Sequence, residues 1–135
     1  MVMKLVPNEP KYWEFIRSLR SNPIIQTGFV DQVQISYEQQ KDYMKKYNDN
    51  YYICINAFNS PIGFIGEIDD DIRIAVVLEA QRSGVGKFMV IELMKLRPDS
   101  YAKVKYDNIA SKKLFECCGF TFVKKDDNFL YYEKK

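Results

Sequence analysis

The sequence predicts an α/β (α+β) fold, a mixed central sheet of about seven strands carrying about four helices. Three observations lead there. Short runs rich in Ile, Val, Tyr and Phe recur between turn residues, as strands require. Helical apolar spacing appears between some of those runs, so strands and helices interleave. A glycine loop, Ser83-Gly84-Val85-Gly86, joins an apolar strand directly to an apolar helix.

Taken in order, Met3–Pro7 reads as a first strand. Asn8 is placed to cap a helix that tolerates Pro10 in its first turn and shows Trp13, Phe15, Ile16 and Leu19 on its apolar side. Ser21-Asn22-Pro23 stops it, and residues 24–35 read as irregular or extended. Ser36 caps a second helix, Tyr37–Tyr47, with Glu38 in its first turn. After the Asn48-Asp49-Asn50 turn, Tyr51–Phe58 and Ile62–Ile68 read as strands joined by Asn59-Ser60-Pro61. Asp69-Asp70-Asp71 reads as turn chemistry rather than a metal site. The strand Ile72–Leu78 leads into the glycine loop and a helix from Val85 to Leu96, closed by Arg97-Pro98-Asp99. Tyr101–Tyr106 is a strand, Asn108–Cys118 a helix ended by Gly119, and Phe120–Lys124 and Phe129–Glu133 are the last two strands. No repeat, linker or low-complexity tract interrupts residues 1–135, which read as one domain.

Composition narrows the chemistry. In 135 residues there are ten tyrosines, nine phenylalanines and no histidine. The aromatic content suits a packed core, and the missing histidine removes Ser-His-Asp, Cys-His and most zinc chemistry. Cys54, Cys117 and Cys118 form no Cys-x-x-Cys pair and read as packing residues, so no metal is expected. No apolar run reaches the roughly 18 residues of a membrane span, and the start lacks a secretory core, so a cytoplasmic protein without a membrane partner is expected. A net charge of +2 gives no support to a nucleic-acid partner. The charge is uneven: residues 1–99 hold 12 basic and 13 acidic side chains, and residues 100–135 hold 8 and 5. A homodimer is left open.

The glycine loop has a physical use. Backbone N–H groups converge at a helix N-terminus, where the dipole also favours an anion. Gly84 and Gly86 bring no Cβ, so a pyrophosphate could approach the main chain. The loop's Gln81, Gly84 and Gly86 resemble the Gln/Arg-x-x-Gly-x-Gly/Ala motif of the GNAT superfamily of acetyl-CoA-dependent N-acetyltransferases. The segment Asn108, Ala110, Leu114, Gly119 and Phe120 is similar to that family's Asn-x-x-Ala-x-x-Leu-Tyr-x-x-x-Gly-Phe motif, with the alanine displaced. The resemblance covers residues 61–124.

It implies a sheet splayed between strands 4 and 5, the fourth strand carrying a bulge. Acetyl-CoA is the implied co-substrate and an amine the acceptor. Gln81, Arg82, Ser83, Gly84, Val85, Gly86 and Lys87 would hold the pyrophosphate. The backbones of Ile74 and Val76 would pair with the pantetheine arm, and a nearby N–H would polarise the thioester carbonyl. Asn108 has two readings, a cofactor contact or a helix cap stabilising by about 1 kcal/mol; Asp107 could cap instead.

Amide formation needs a neutral amine and a proton for the leaving thiolate. The branch that acetylates protein N-termini uses a glutamate and a tyrosine at positions that here are Lys103 and Phe115. Glu67 is therefore the candidate base and Tyr106 the candidate acid, with Tyr131 and Tyr132 beside it. Arg20-Ser21-Asn22-Pro23 and Ile35–Gln40 resemble the branch acting on nucleotide-linked amino sugars, with Gln40 replacing a histidine. Arg17 and Arg20, three apart on one helix, are the candidate acceptor-binding pair, with residues 22–37 as the wall. Polyamines, amino acids, protein lysines and aminoacyl-tRNA are other acceptors, and a CoA-binding module without catalysis is the alternative class.

Overall fold

Seven strands run β1-β2-β3-β4-β5-β7-β6 across one sheet in a computed structural model that describes residues 2–22 and 35–134. They are β1 Lys4–Pro7, β2 Tyr51–Ile55, β3 Pro61–Ile68, β4 Asp71–Val76, β5 Tyr101–Lys105, β6 Phe120–Lys125 and β7 Phe129–Lys134. The described helices are α1 Trp13–Arg20, α2 Tyr37–Tyr47, α3 Val85–Leu96 and α4 Ile109–Cys117. Every neighbouring pair is antiparallel except β4 and β5, which are parallel and meet only at Asp71 and Tyr101.

Each face of the sheet has its own core. On one, α3 and α4 bury Val85, Met89, Val90, Leu93 and Phe115 against Ile65, Ile72, Ala102, Val104 and Tyr132. On the other, Ile16, Leu19 and Met44 of α1 and α2 pack on Tyr51, Ile53, Ile55, Phe64 and Ala75. Among the described residues the second cluster draws its sheet residues from β1 to β4, with Val6 of β1 at its margin, and none from β5, β6 or β7. The α1–α2 layer therefore stops beside the β4–β5 boundary. That edge is what positions the site.

Local chemistry accounts for most elements. Ser36 and Gln39 form a reciprocal capping box at α2. Asp69 and Asp70 take φ of 52° and 71°, the left-handed pair that a two-residue hairpin needs, and Ile68 pairs with Asp71 across it.

Four expectations need correction. Asn8 caps no helix: it is buried, its amide nitrogen 3.3 Å from the Met44 sulfur, and a 3-10 turn at Pro10–Tyr12 starts α1 instead. The strand expected through Phe58 ends at Ile55. The Asn56 side chain accepts from the N–H groups of Phe58 and Ser60 and so closes a loop. The strand expected through Leu78 ends at Val76, and Leu78–Ala80 form a 3-10 turn. The fourth strand has no bulge, for β3 and β4 pair in unbroken register from Gly63–Val76 to Ile68–Asp71. Splaying here comes from lost pairing with β5, not from an inserted residue. The expected wall at residues 22–37 falls largely on 23–34, outside the described residues.

Candidate active site

The β4–β5 gap exposes a specific set of backbone groups. Val77 N–H bonds the Ile62 carbonyl at 3.0 Å, so Val77 faces β3. Backbone direction alternates along a strand, so Arg73 and Ala75 also face β3, while Ile72, Ile74 and Val76 face β5. The bridge agrees: Tyr101 N–H bonds the Asp70 carbonyl at 2.7 Å. Beyond it, no described hydrogen bond links β5 to Ile74 or Val76. The Ile74 peptide groups and the Val76 N–H are therefore the ones that an extended strand laid in the gap would pair with. Ile74 and Val76 are thus the β4 residues whose backbones turn to the gap.

The loop at the open end of the gap is built by its own side chains. Gln81 donates from its amide to the Val76 carbonyl at 3.2 Å, and the Ser83 hydroxyl donates to the Ala80 carbonyl. Both side chains thus fold the loop and turn inward, away from its outer main chain. Arg82 sits at φ 63° and Gly84 at φ 88°. No described bond uses the N–H of Arg82, Ser83 or Gly84, and those of Val85, Gly86 and Lys87 open α3 without intrahelical partners.

The two glycines do different work. A Cβ on Gly84 would meet nothing within 4 Å, so that position faces open space. A Cβ on Gly86 would lie 3.4 Å from both methyls of Leu114. Gly86 therefore lets α3 approach α4, and of the two only Gly84 leaves open space outside the loop. Asn108 caps α4, accepting from Ser111 N–H at 3.1 Å, which settles the choice between it and Asp107.

The candidate acid and base stand elsewhere. Glu67 lies opposite Ile72, four residues or about 13 Å down β4 from Val76, at the closed end of the gap. Its carboxylate accepts from Asp70 N–H at 2.9 Å and from the Asn50 amide at 3.4 Å, and lies 3.7 Å from Arg97 Nη1. Those bonds make it a hairpin anchor. The Tyr106 hydroxyl donates to the Asp126 carbonyl, and Tyr131 donates to the Asp126 carboxylate at 2.7 Å. That carboxylate pushes the Tyr131 phenol up to about 12. Tyr132 is buried in the α3–α4 core, and Phe115 packs on Phe120 with ring centres 5.2 Å apart.

Arg17 and Arg20 separate. Arg17 makes a two-point pair with Glu14 and donates to the Ile35 carbonyl at 3.1 Å, tying α1 to the start of α2. Arg20 lies over the Tyr43 ring, 4.8 Å from its centre, and Tyr43 shares a 2.7 Å hydroxyl contact with Tyr51. Sequence reading missed Arg73, which projects from β4 on this same α1–α2 face, 3.4 Å from Asp71. Its strand position, one residue before Ile74, was the available signal.

No family model and no curated protein matches the sequence. Solved structures do. A domain from Methanocaldococcus jannaschii superposes with a TM-score of 0.80 at 21% identity, covering 97% of this chain and 96% of that one. Spermidine N-acetyltransferase from Vibrio cholerae, solved with CoA and spermine, gives 0.78 at 18% identity, covering 96% and 92%. PaiA N-acetyltransferase from Thermoplasma acidophilum, solved with coenzyme A, gives 0.71 at 15% identity, covering 100% and 99%. With its mixed seven-stranded sheet parting at the parallel β4–β5 pair, the chain has the fold of the GNAT acetyltransferases.

Proposed function

We propose that this protein transfers an acetyl group from acetyl-CoA to a primary amine of a small molecule. The observation that carries the reading is the gap itself: outward backbone groups at Ile74 and Val76 lead directly to an uncovered helix N-terminus at Gly84. A pantetheine arm offers amides to the first, and a pyrophosphate offers charge to the second. The loop fits this ligand because its side chains bond inward and leave main-chain donors and open space outward. The similar structures solved with CoA support the same reading.

The chain's part in the reaction is mainly positioning. Binding both reactants in the gap makes attack of the amine nitrogen on the thioester carbon effectively unimolecular. An N–H on the β5-facing side of β4 would serve as the donor to the carbonyl oxygen as its charge develops. Glu67 and Tyr106 are assigned structural roles, and water carries the protons that amide formation releases and the leaving thiolate takes up. Amino sugars are the acceptors suggested by the segment around Arg20, and polyamines by the spermidine enzyme of similar fold. A CoA-binding module without catalysis is the second reading, favoured by Phe115, which presents no hydroxyl.

Calorimetry with CoA and thiol release from acetyl-CoA across an amine panel separate the two. Binding with amine-dependent thiol release supports the transferase, and binding without release for any amine supports the module. No binding at all sinks both.

A further inference from the structure

We propose that the acceptor amine also carries an anionic group, a carboxylate or a phosphate, and that Arg73 binds it. The inference rests on the transferase reading and names its substrate class. Arg73 stands one residue before Ile74, so its backbone belongs to the strand that lines the gap while its side chain leaves on the opposite face from α3 and α4. That is the face on which, among the described residues, the α1–α2 apolar cluster takes in no residue of β5 or β7. An acceptor entering the gap from this side would pass Arg73, which stands three residues down β4 from Val76.

The surroundings of Arg73 are shaped to present it. Tyr51, Gly66 and Arg73 lie side by side across β2, β3 and β4. A Cβ on Gly66 would fall 2.5 Å from the Asn50 carbonyl oxygen and 2.7 Å from the Tyr51 ring, so the missing side chain leaves that ring room over β3. The Tyr51 hydroxyl feels both Arg73 and Arg20, and its bond to Tyr43 places Arg20 on the next ring. Two guanidinium groups thus approach one tyrosine pair from two elements.

Among the described residues the Arg73 charge is poorly matched. Among the described residues no group accepts a hydrogen bond from its guanidinium. The Nε atom is sealed from solvent and unbonded, and the one ionic contact, Nη2 to Asp71, is 3.4 Å long. The side chain remains 39% exposed, so the fork of Nη donors can be reached. Buried polar atoms in folded proteins nearly always have partners, and a planar fork matches carboxylate and phosphate oxygens two at a time. Asp69, Asp70 and Asp71 oppose this reading by charge. Asp69 and Asp70, however, occupy the hairpin tip at the closed end of the gap, and Asp71 already faces Arg73. A polycationic acceptor, which would favour those acids, is the outcome that the test must separate.

Thiol release is measured for β-alanine against β-alaninamide, O-phosphoethanolamine against ethanolamine, and a nucleoside-diphosphate amino sugar against the free sugar, with spermidine as the cationic opposite. Wild type should favour the anionic member of at least one pair by roughly tenfold or more in kcat/KM, the size expected of a charged hydrogen bond. The first two pairs tell carboxylate from phosphate. Arg73→Gln should erase the preference through KM while leaving CoA affinity and the neutral amines unchanged, and Arg73→Lys should restore part of it. A preference for spermidine or neutral amines, or an anionic preference that survives Arg73→Gln, overturns the proposal. If no amine releases thiol, the transferase reading fails on its own. The same anionic amines are then titrated into the CoA-bound protein, or into the free protein if CoA does not bind. Binding that Arg73→Gln removes still supports the anion site, and absence of binding overturns it.

Discussion

Gly84→Ala separates the fold from the ligand more cleanly than any other substitution in this chain. Gly84 has φ 88° and ψ 2° at the N-cap of α3, a conformation that costs an L-residue about 1–2 kcal/mol. No atom lies within 4 Å of the added Cβ, so steric overlap adds nothing to that cost. At roughly 4 °C of Tm per kcal/mol for a domain of this size, thermal unfolding should fall by about 4–8 °C. The methyl then stands in the open space that a pyrophosphate would enter, and CoA affinity should fall at least about tenfold, more for Gly84→Val, measured by calorimetry well below the lowered Tm. Gly86→Ala is the matched control. Its Cβ meets Leu114 at 3.4 Å on the α4 side, and alanine gains part of the about 1 kcal/mol of helix propensity that glycine lacks. Stability should change little and CoA binding should persist. A folded Gly84→Ala protein with wild-type affinity would refute the anion loop, and equal losses at both glycines would refute the division of labour between them.

Three further outcomes follow from the contacts around the site. Glu67→Gln should destabilise by about 1–3 kcal/mol in denaturant titrations, since it weakens the anchor on Asp70, Asn50 and Arg97; turnover per folded molecule should hold, and a large rate loss at unchanged stability would return Glu67 to the chemistry. Burial pushes the Cys54 thiol up to about 11 and also raises Cys118, whereas Cys117 is exposed, so alkylation near pH 8 should modify Cys117 quickly and the other two only on unfolding. Asp126 is held below the usual carboxylate range, first by Tyr131 and then by the N–H groups of Asn128 and Phe129. Its contribution is present above about pH 4 and lost as pH falls through the lower folded value, so the Tm gap between wild type and Asp126→Ala should be full at pH 7 and close in acid; a gap that widened in acid would contradict the assignment.

What could be read from the sequence was the part written in local chemistry. Ser36 as the cap of α2, the turn at Asp69 and Asp70, and Gly84 before an apolar helix each carry their geometry within a few residues, though the box partner of Ser36 is Gln39 and not its neighbour Glu38. The order of strands and helices follows from such signals, and so does the loop. The features that escaped depend on partners far along the chain. Asn8 looked like a cap but meets Met44, 36 residues away, and Tyr106 looked like an acid but bonds Asp126, 20 residues away. Gly86 seemed to share the work of Gly84 until Leu114 appeared beside it. Arg73 carried only its strand position beside Ile74 as a mark, because its setting is made by Tyr51 and Gly66 on two other strands.

The gap between β4 and β5 raises its own question, since closing it would pair peptide groups that are costly to leave unmade. Each half of the sheet is held by its own antiparallel pairing, β4 by six register pairs with β3 and β5 by five with β7. Past Asp71 and Tyr101, zipping the halves together would need Ile74 and Val76 to reach β5 while Gln81 holds the Val76 carbonyl and folds the chain away into α3. Side chains above the gap also resist, because Ile74, Val76 and Val104 already pack against the α3–α4 core. Opening is therefore maintained by the antiparallel pairs on either side and the loop at its end, and a ligand that supplies its own amides would recover the missing bonds without moving either half.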